Sequence, residues 1–149
     1  MINNQDNGWE HIASAFAAVR SDTGCDIIRR WSSALPSGGE VLDVGCGSGF
    51  PVSSTLVEHG LTVFGIDASP TLVSMFARRF GNAHAACETV QDSTFFGRTF
   101  DGLLAIGLMF LLSEDDQRKL INKVAEALGP DGRFLFSAPH QKCEWEDVL

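Results

Sequence analysis

Apolar positions along the chain follow two periods, and the places where one gives way to the other mark out its elements. Between Gly8 and Val19, the residues Trp9, Ile12, Ala13, Phe16 and Ala17 recur at intervals of three and four, which predicts one face of a helix. Ser21–Gly24 interrupts the pattern. Ile27, Ile28, Trp31 and Leu35 then predict a second helix, closed by Pro36 and the Gly38–Gly39 pair. Val41, Leu42 and Val44 form a short β-branched-rich run with the length of a buried strand, and Pro51–His59 reads as a helix stopped by Gly60. Leu61–Ile66 is a second strand, ending at Asp67. Ser69 and Pro70 supply an N-cap followed by a first-turn proline. Leu72, Phe76 and Phe80 lie on one face of the helix that follows, and Gly81 ends it.

The second half repeats the alternation. Ala83–Cys87 is a weak third strand, and Gly102–Gly107, GLLAIG, is apolar enough for a parallel strand covered on both faces. Ser113 with Asp116 three residues on predicts a helix start. Leu120, Ile121, Val124, Ala125 and Leu128 form its buried stripe, Gly129-Pro130 terminates it, and Arg133–Ser137 follows the turn Pro130-Asp131-Gly132 as a fifth strand. Strands alternating with helices predict an α/β fold with a doubly wound, mostly parallel sheet. With the first strand at the switch point, the spatial order is 3-2-1-4-5.

Candidate chemistry concentrates in Glu40–Phe50, EVLDVGCGSGF. A strand here runs through Asp43 into Gly45, Cys46, Gly47, Ser48 and Gly49, then into a helix. Glycine tolerates positive φ and has no Cβ to obstruct a ligand, and the helix beyond presents unpaired N–H groups. A dinucleotide-binding turn reads G-x-G-x-x-G, whereas this one reads G-x-G-x-G and carries Phe50 where the third glycine of that pattern falls. An acid two residues before the first glycine suits a cationic ligand better than a pyrophosphate.

The stretch Leu42–Gly49, LDVGCGSG, resembles the first motif of class I S-adenosylmethionine-dependent methyltransferases, and LGPDGRFLF resembles the segment that includes their fifth strand. The resemblance implies a cofactor, S-adenosyl-L-methionine, held by Asp43, Gly45, Cys46, Gly47 and Gly49. It places Asp67, with Ala68 after it, on the ribose diol, where a carboxylate offers two acceptor oxygens to two hydroxyls. The alternative for Asp67 is turn chemistry, since Asp-Ala-Ser-Pro favours a helix start. Glu88 and Thr89 fall where the family contacts adenine, Glu88 also being readable as a solvated loop acid. Ile106 and Gly107 fall beside the transferable methyl. N-terminal helices in this family lie over the cofactor and substrate. Residues 1–39 are therefore expected as a cap, with Trp9 and Phe16 as lid residues or as simple packing, and 40–149 as the cofactor-binding core.

Composition narrows the picture. The 149 residues fit one domain, and 11 basic against 19 acidic residues give a net charge of −8, which argues against nucleic-acid or anionic-lipid partners. No apolar run approaches a membrane span, and the N-terminus shows no secretory signal, so a cytoplasmic protein is expected. Cys25, Cys46, Cys87 and Cys143 form no C-x-x-C, and the four histidines have no ligand spacing, so no metal is expected.

The function expected is methyl transfer to a small-molecule acceptor. Displacement at a sulfonium asks the protein mainly to position and desolvate, so no nucleophile need be visible. His140, beyond the fifth strand, is the candidate general base, against a reading as a surface histidine. Gly107-Leu108-Met109-Phe110 stands where an Asn/Asp-Pro-Pro-Tyr tetrapeptide would point to a nucleobase or glutamine amide acceptor. Only APHQKCEWEDVL follows Ser137, too little for the family's sixth and seventh strands, so a C-terminal truncation is expected, with a minimal form of the fold as the alternative. An apolar strand left at the sheet edge would favour a homo-oligomer through that edge. The rival readings are a non-catalytic cofactor-binding or assembly module and an NAD-binding oxidoreductase.

Overall fold

A computed structural model describes residues 24–81 and 84–138. The expected first helix over 8–19, with Trp9 and Phe16, lies outside the described residues, as does His140. The elements run α1 (Cys25–Ser32), β1 (Glu40–Val44), α2 (Val52–Glu58), β2 (Thr62–Asp67), α3 (Pro70–Phe80), β3 (Ala85–Cys87), β4 (Phe100–Ala105), α4 (Glu114–Ala127) and β5 (Leu128–Phe136). Short 3₁₀ turns at Phe95–Gly97 and Met109–Leu111 flank β4. The five strands are all parallel, in the order β3-β2-β1-β4-β5. This is the doubly wound arrangement anticipated from the alternation of periods.

Strand parity assigns each side chain to a layer. Leu42, Val44, Phe64, Ile66, Leu103 and Ala105 pack with Leu120, Val124 and Ala127 of α4. Val41, Val63 and Leu104 point the other way and pack with Ile28, Leu56 and Phe76 from α1, α2 and α3. Among the described residues the second layer holds three helices where the first holds one, and it is tight enough to require glycine in the strands beneath it. A Cβ on Gly102 would fall 2.6 Å from the Trp31 ring, and one on Gly65 would fall 2.7 Å from Cys46 Sγ and 2.8 Å from Phe76. Asp43 has the parity of Val41, so it too faces the three-helix layer.

Local signals set most element ends. Ser69 Oγ accepts from Leu72 N (3.2 Å) and Ser113 Oγ accepts from Asp116 N (3.1 Å), each satisfying a donor that the helix cannot pair internally. The fifth strand departs from the sequence reading. It begins at Leu128, immediately after α4, rather than at Arg133. Leu128 pairs with Phe100, the ladder then shifts, and Gly102 pairs with Arg133. Pro130-Asp131-Gly132 is therefore a bulge within a strand, with Asp131 at φ 61, and not a turn ahead of one. The turn residues were legible, but pairing on both sides of them is fixed by β4. Among the described residues β5 is a sheet edge, and Phe136 is 45% exposed there.

Candidate functional site

The C-terminal ends of β1, β2, β3 and β4 meet around the glycine turn. Register puts Asp43 beside Gly65 and Leu104, and Asp67 beside Cys87. Asp67, Ala68, Glu88, Thr89, Ile106 and Gly107 therefore share one rim with Gly45–Gly49. Asp43, also expected at the site, lies beneath the rim, buried against α2.

The turn is stitched to β2 by backbone. Gly45 N and Cys46 N both donate to Ile66 O, at 2.9 and 3.0 Å. Gly45, Gly47 and Gly49 have φ of 73°, 57° and 85°, the left-handed region that disfavours any side chain. At Gly49 there is a second reason: a Cβ would stand 2.3 Å from the Phe80 ring. The turn lies directly on α3. Ser54 N and Ser54 Oγ then both donate to Gly49 O (2.8 and 3.1 Å), tying the turn into the first turn of α2.

The two acids behave differently. Asp43 is buried, 2% exposed, and its Oδ2 accepts from Ser53 Oγ at 2.7 Å. It braces the base of the turn against α2. Asp67 is half-buried at the rim. Its Oδ2 accepts from Gly47 N (3.0 Å) and its Oδ1 from Ser69 N (2.9 Å). Both oxygens thus take a backbone N–H, which orients the carboxylate through two elements at once. The turn-chemistry reading of Asp67 is realised in the Ser69 bond, and the Gly47 bond joins it to the glycine turn.

Glu88 N donates to Asp67 O (3.0 Å), so the residue after β3 is drawn against the end of β2. Glu88 is exposed. Thr89 Oγ1 accepts from Asp92 N (3.1 Å), closing a tight turn in the loop that follows. Cys87 Sγ contacts Ala68 O at 3.7 Å. On the other side of the turn, Leu108 lies 3.6 Å from where a Cβ on Gly45 would be. Gly107 is exposed at φ 73°, has open space where a Cβ would stand, and donates its N–H to Ser137 Oγ at 2.7 Å. Ile106 is half-buried and packs into the three-helix layer. Among the described residues no three His, Cys, Asp or Glu side chains gather as metal ligands do, and no helix is long and apolar enough to cross a membrane.

Sequence reasoning missed Ser53. Its signal was faint: a small hydroxyl residue in the first turn after the glycine loop, facing the one polar residue within the apolar run of β1.

Comparison with known proteins points the same way as the geometry. A family model described as a methyltransferase domain matches residues 13–149. The protein YqeM of Bacillus subtilis (strain 168), which carries a provisional methyltransferase name, is 29% identical over 134 residues, covering 86% of this chain and 54% of YqeM. A ubiquinone biosynthesis O-methyltransferase of Coxiella burnetii is 31% identical over 104 residues, 67% of this chain and 43% of the relative. The chain thus spans about half the length of the curated relatives it matches. The crystal structure of a TehB-like SAM-dependent methyltransferase from Corynebacterium glutamicum superposes with a TM-score of 0.70 at 26% identity, over 88% of this chain and 71% of that one. The glycine turn, the strand order and the family match agree: this chain belongs to the class I S-adenosylmethionine-dependent methyltransferases.

Proposed function

We propose that the chain binds S-adenosylmethionine in the crevice at the C-terminal ends of β1, β2 and β4, and serves methyl transfer to a small-molecule acceptor. The observation that carries this reading is Asp67: a half-buried carboxylate held by Gly47 N and Ser69 N beside three glycines at positive φ. The residues fit the cofactor by chemistry as well as by position. Glycines let the backbone approach a bulky nucleoside, and a carboxylate fixed in advance accepts hydrogen bonds from vicinal hydroxyls without reorganising. Asp43 acts from beneath, bracing the turn through Ser53. Glu88 and Thr89 border the adenine end. Ile106 and Gly107 border the reacting end, where the bare backbone of Gly107 leaves room for an acceptor.

Bound there, S-adenosylmethionine supplies a methyl group activated by its positive sulfur for in-line displacement by an acceptor lone pair. The chain's part is orientation and exclusion of water. Leu108, 3.6 Å from where a Cβ on Gly45 would stand, gives the turn an apolar neighbour, which strengthens polar contacts made beside it. The ubiquinone-biosynthesis name of the Coxiella burnetii relative supports a small-molecule acceptor.

Isothermal titration with S-adenosylhomocysteine, with NADH as the control, tests the cofactor. Heat with the first and none with the second is expected. Heat with NADH alone would overturn the reading, and silence with both would remove the cofactor altogether. Incubation with methyl-labelled cofactor and a panel of phenols, amines and thiols tests transfer. Binding without label in any acceptor would favour the non-catalytic module instead.

A further inference from the structure

The loop after β3 is clipped to α4 by one side chain. Lys123 Nζ donates to three backbone carbonyls: Val90 O at 2.7 Å, Ser93 O at 2.8 Å and Gln91 O at 3.3 Å. Three N–H donors of one ammonium meet three acceptors within four residues, which matches the full capacity of the group. These carbonyls belong to the tight turn that starts at Thr89, where Ser93 N donates to Thr89 O and Asp92 N to Thr89 Oγ1. They converge as the last carbonyls of a helix do, and a cation satisfies them. A second clip, Gln91 Nε2 to Asp116 Oδ2 at 3.3 Å, fixes the same loop to the other end of α4.

The backbone just beyond the clip is strained. Phe95, Phe96 and Gly97 follow one another at φ 52°, 58° and 60°. Two of the three carry bulky side chains in the left-handed region, which persists only where the surroundings impose it. Phe95 is buried, its N–H donates to Ser93 Oγ (3.0 Å), and Lys123 Nζ stands 5.2 Å from the centre of its ring. Burial lowers the pKa of Lys123, while Asp92 and Glu88 act to raise it. Lys123 thus holds both the turn and the ring that anchors the strained segment.

We infer that Lys123 is a positioning residue for nucleobase recognition, setting the loop so that Glu88 and Thr89 face the adenine edge of the crevice. It touches neither the cofactor nor the reacting atoms and acts through the carbonyls of the next residues along. The inference rests on the cofactor reading above. It adds that selection for adenine is governed from the far side of the loop, by a residue of α4.

Titration of the full chain with S-adenosylhomocysteine and with its inosine counterpart, which replaces the adenine amino group by oxygen, tests this. The unaltered chain is expected to prefer the adenine compound. Lys123→Met is expected to weaken adenine binding about tenfold and to bring the ratio of the two affinities close to one, because an unfixed loop reads neither edge. Lys123→Arg, which keeps the charge and several donors, is expected to restore most of the ratio. A lysine of merely structural importance would lower the melting temperature and leave the ratio unchanged, and that result overturns the inference while sparing the cofactor reading. Failure of the unaltered chain to bind either compound overturns both. If Lys123→Met does not fold, Lys123→Gln decides: a ratio as high as in the unaltered chain overturns the inference, and a lowered one supports it.

Discussion

The two ends of the sheet are closed by different means. At the N-terminal ends of the strands, side chains meet side chains. Arg98 donates to both carboxylate oxygens of Glu40 (3.0 and 2.9 Å) and lies 4.7 Å from the centre of the Phe64 ring. Phe64 in turn stacks on His84, with ring centres 4.2 Å apart and planes at 2°, while Asp101 Oδ2 accepts from Glu40 N at 2.9 Å. At the C-terminal ends, the bonds run mainly from backbone N–H groups to a carbonyl or a single carboxylate, and the residues there are mostly glycine, alanine and serine. One end is sealed by bulk. The other is tied down by backbone bonds to Ile66 O and to the Asp67 carboxylate. Both ends belong to the same strands, so the residue at each strand terminus decides which outcome prevails.

That contrast can be broken by mutation, starting with the largest effect. Phe64→Ala removes a buried ring that packs against His84, Phe96 and Phe100, and is expected to cost about 3–5 kcal/mol in a denaturant titration. A loss under 1 kcal/mol would show that the sealed end contributes little. Gly49→Ala combines φ 85° with a Cβ 2.3 Å from Phe80 and is expected to cost about 3 kcal/mol. Gly60→Ala is its control, since φ is 87° there but nothing lies within 4 Å, and about 1 kcal/mol is expected. Equal losses at the two glycines would mean that contact with α3 is not what the turn requires.

Asp67→Ala is expected to weaken S-adenosylhomocysteine by about 1–3 kcal/mol in calorimetry, with Gly47 N and Ser69 N losing their acceptor at the same time. Unchanged affinity would detach Asp67 from the crevice chemistry. Arg98→Ala should have the smallest effect. Its ion pair is half-exposed, so about 1 kcal/mol of stability is expected to go, with cofactor affinity untouched. A change in affinity there would mean that the two ends communicate.

The sequence carried the open end better than the sealed one. Gly45, Gly47 and Gly49 are visible because positive φ leaves a mark on composition, and Asp67 because it stands where an apolar run stops. Ser69, Pro70 and Ser113 announce helix starts through capping chemistry that works within a few residues. Phe64, His84 and Arg98 carry no such mark, since their contact depends on three strands lying side by side. The same holds for Ser53 beneath Asp43. It holds also for Phe95 and Phe96, whose left-handed backbone leaves no mark in the residue types. The bulge at Pro130-Asp131-Gly132 lies between these cases: its residue types were plain, while its place inside a ladder was set by Phe100 and Gly102 of the neighbouring strand.

The bare backbone at Gly65 and Gly102 has one more consequence, and it concerns how such a chain can change over time. Phe76 and Trp31 each occupy the hollow above one of these glycines, like a key cut for a single lock. Enlarging a lock requires filing its key, so each pair can be exchanged only together. A library that varies one member while holding the other constant would return mostly unfolded clones, whereas one that swaps both in step opens routes closed to single substitutions.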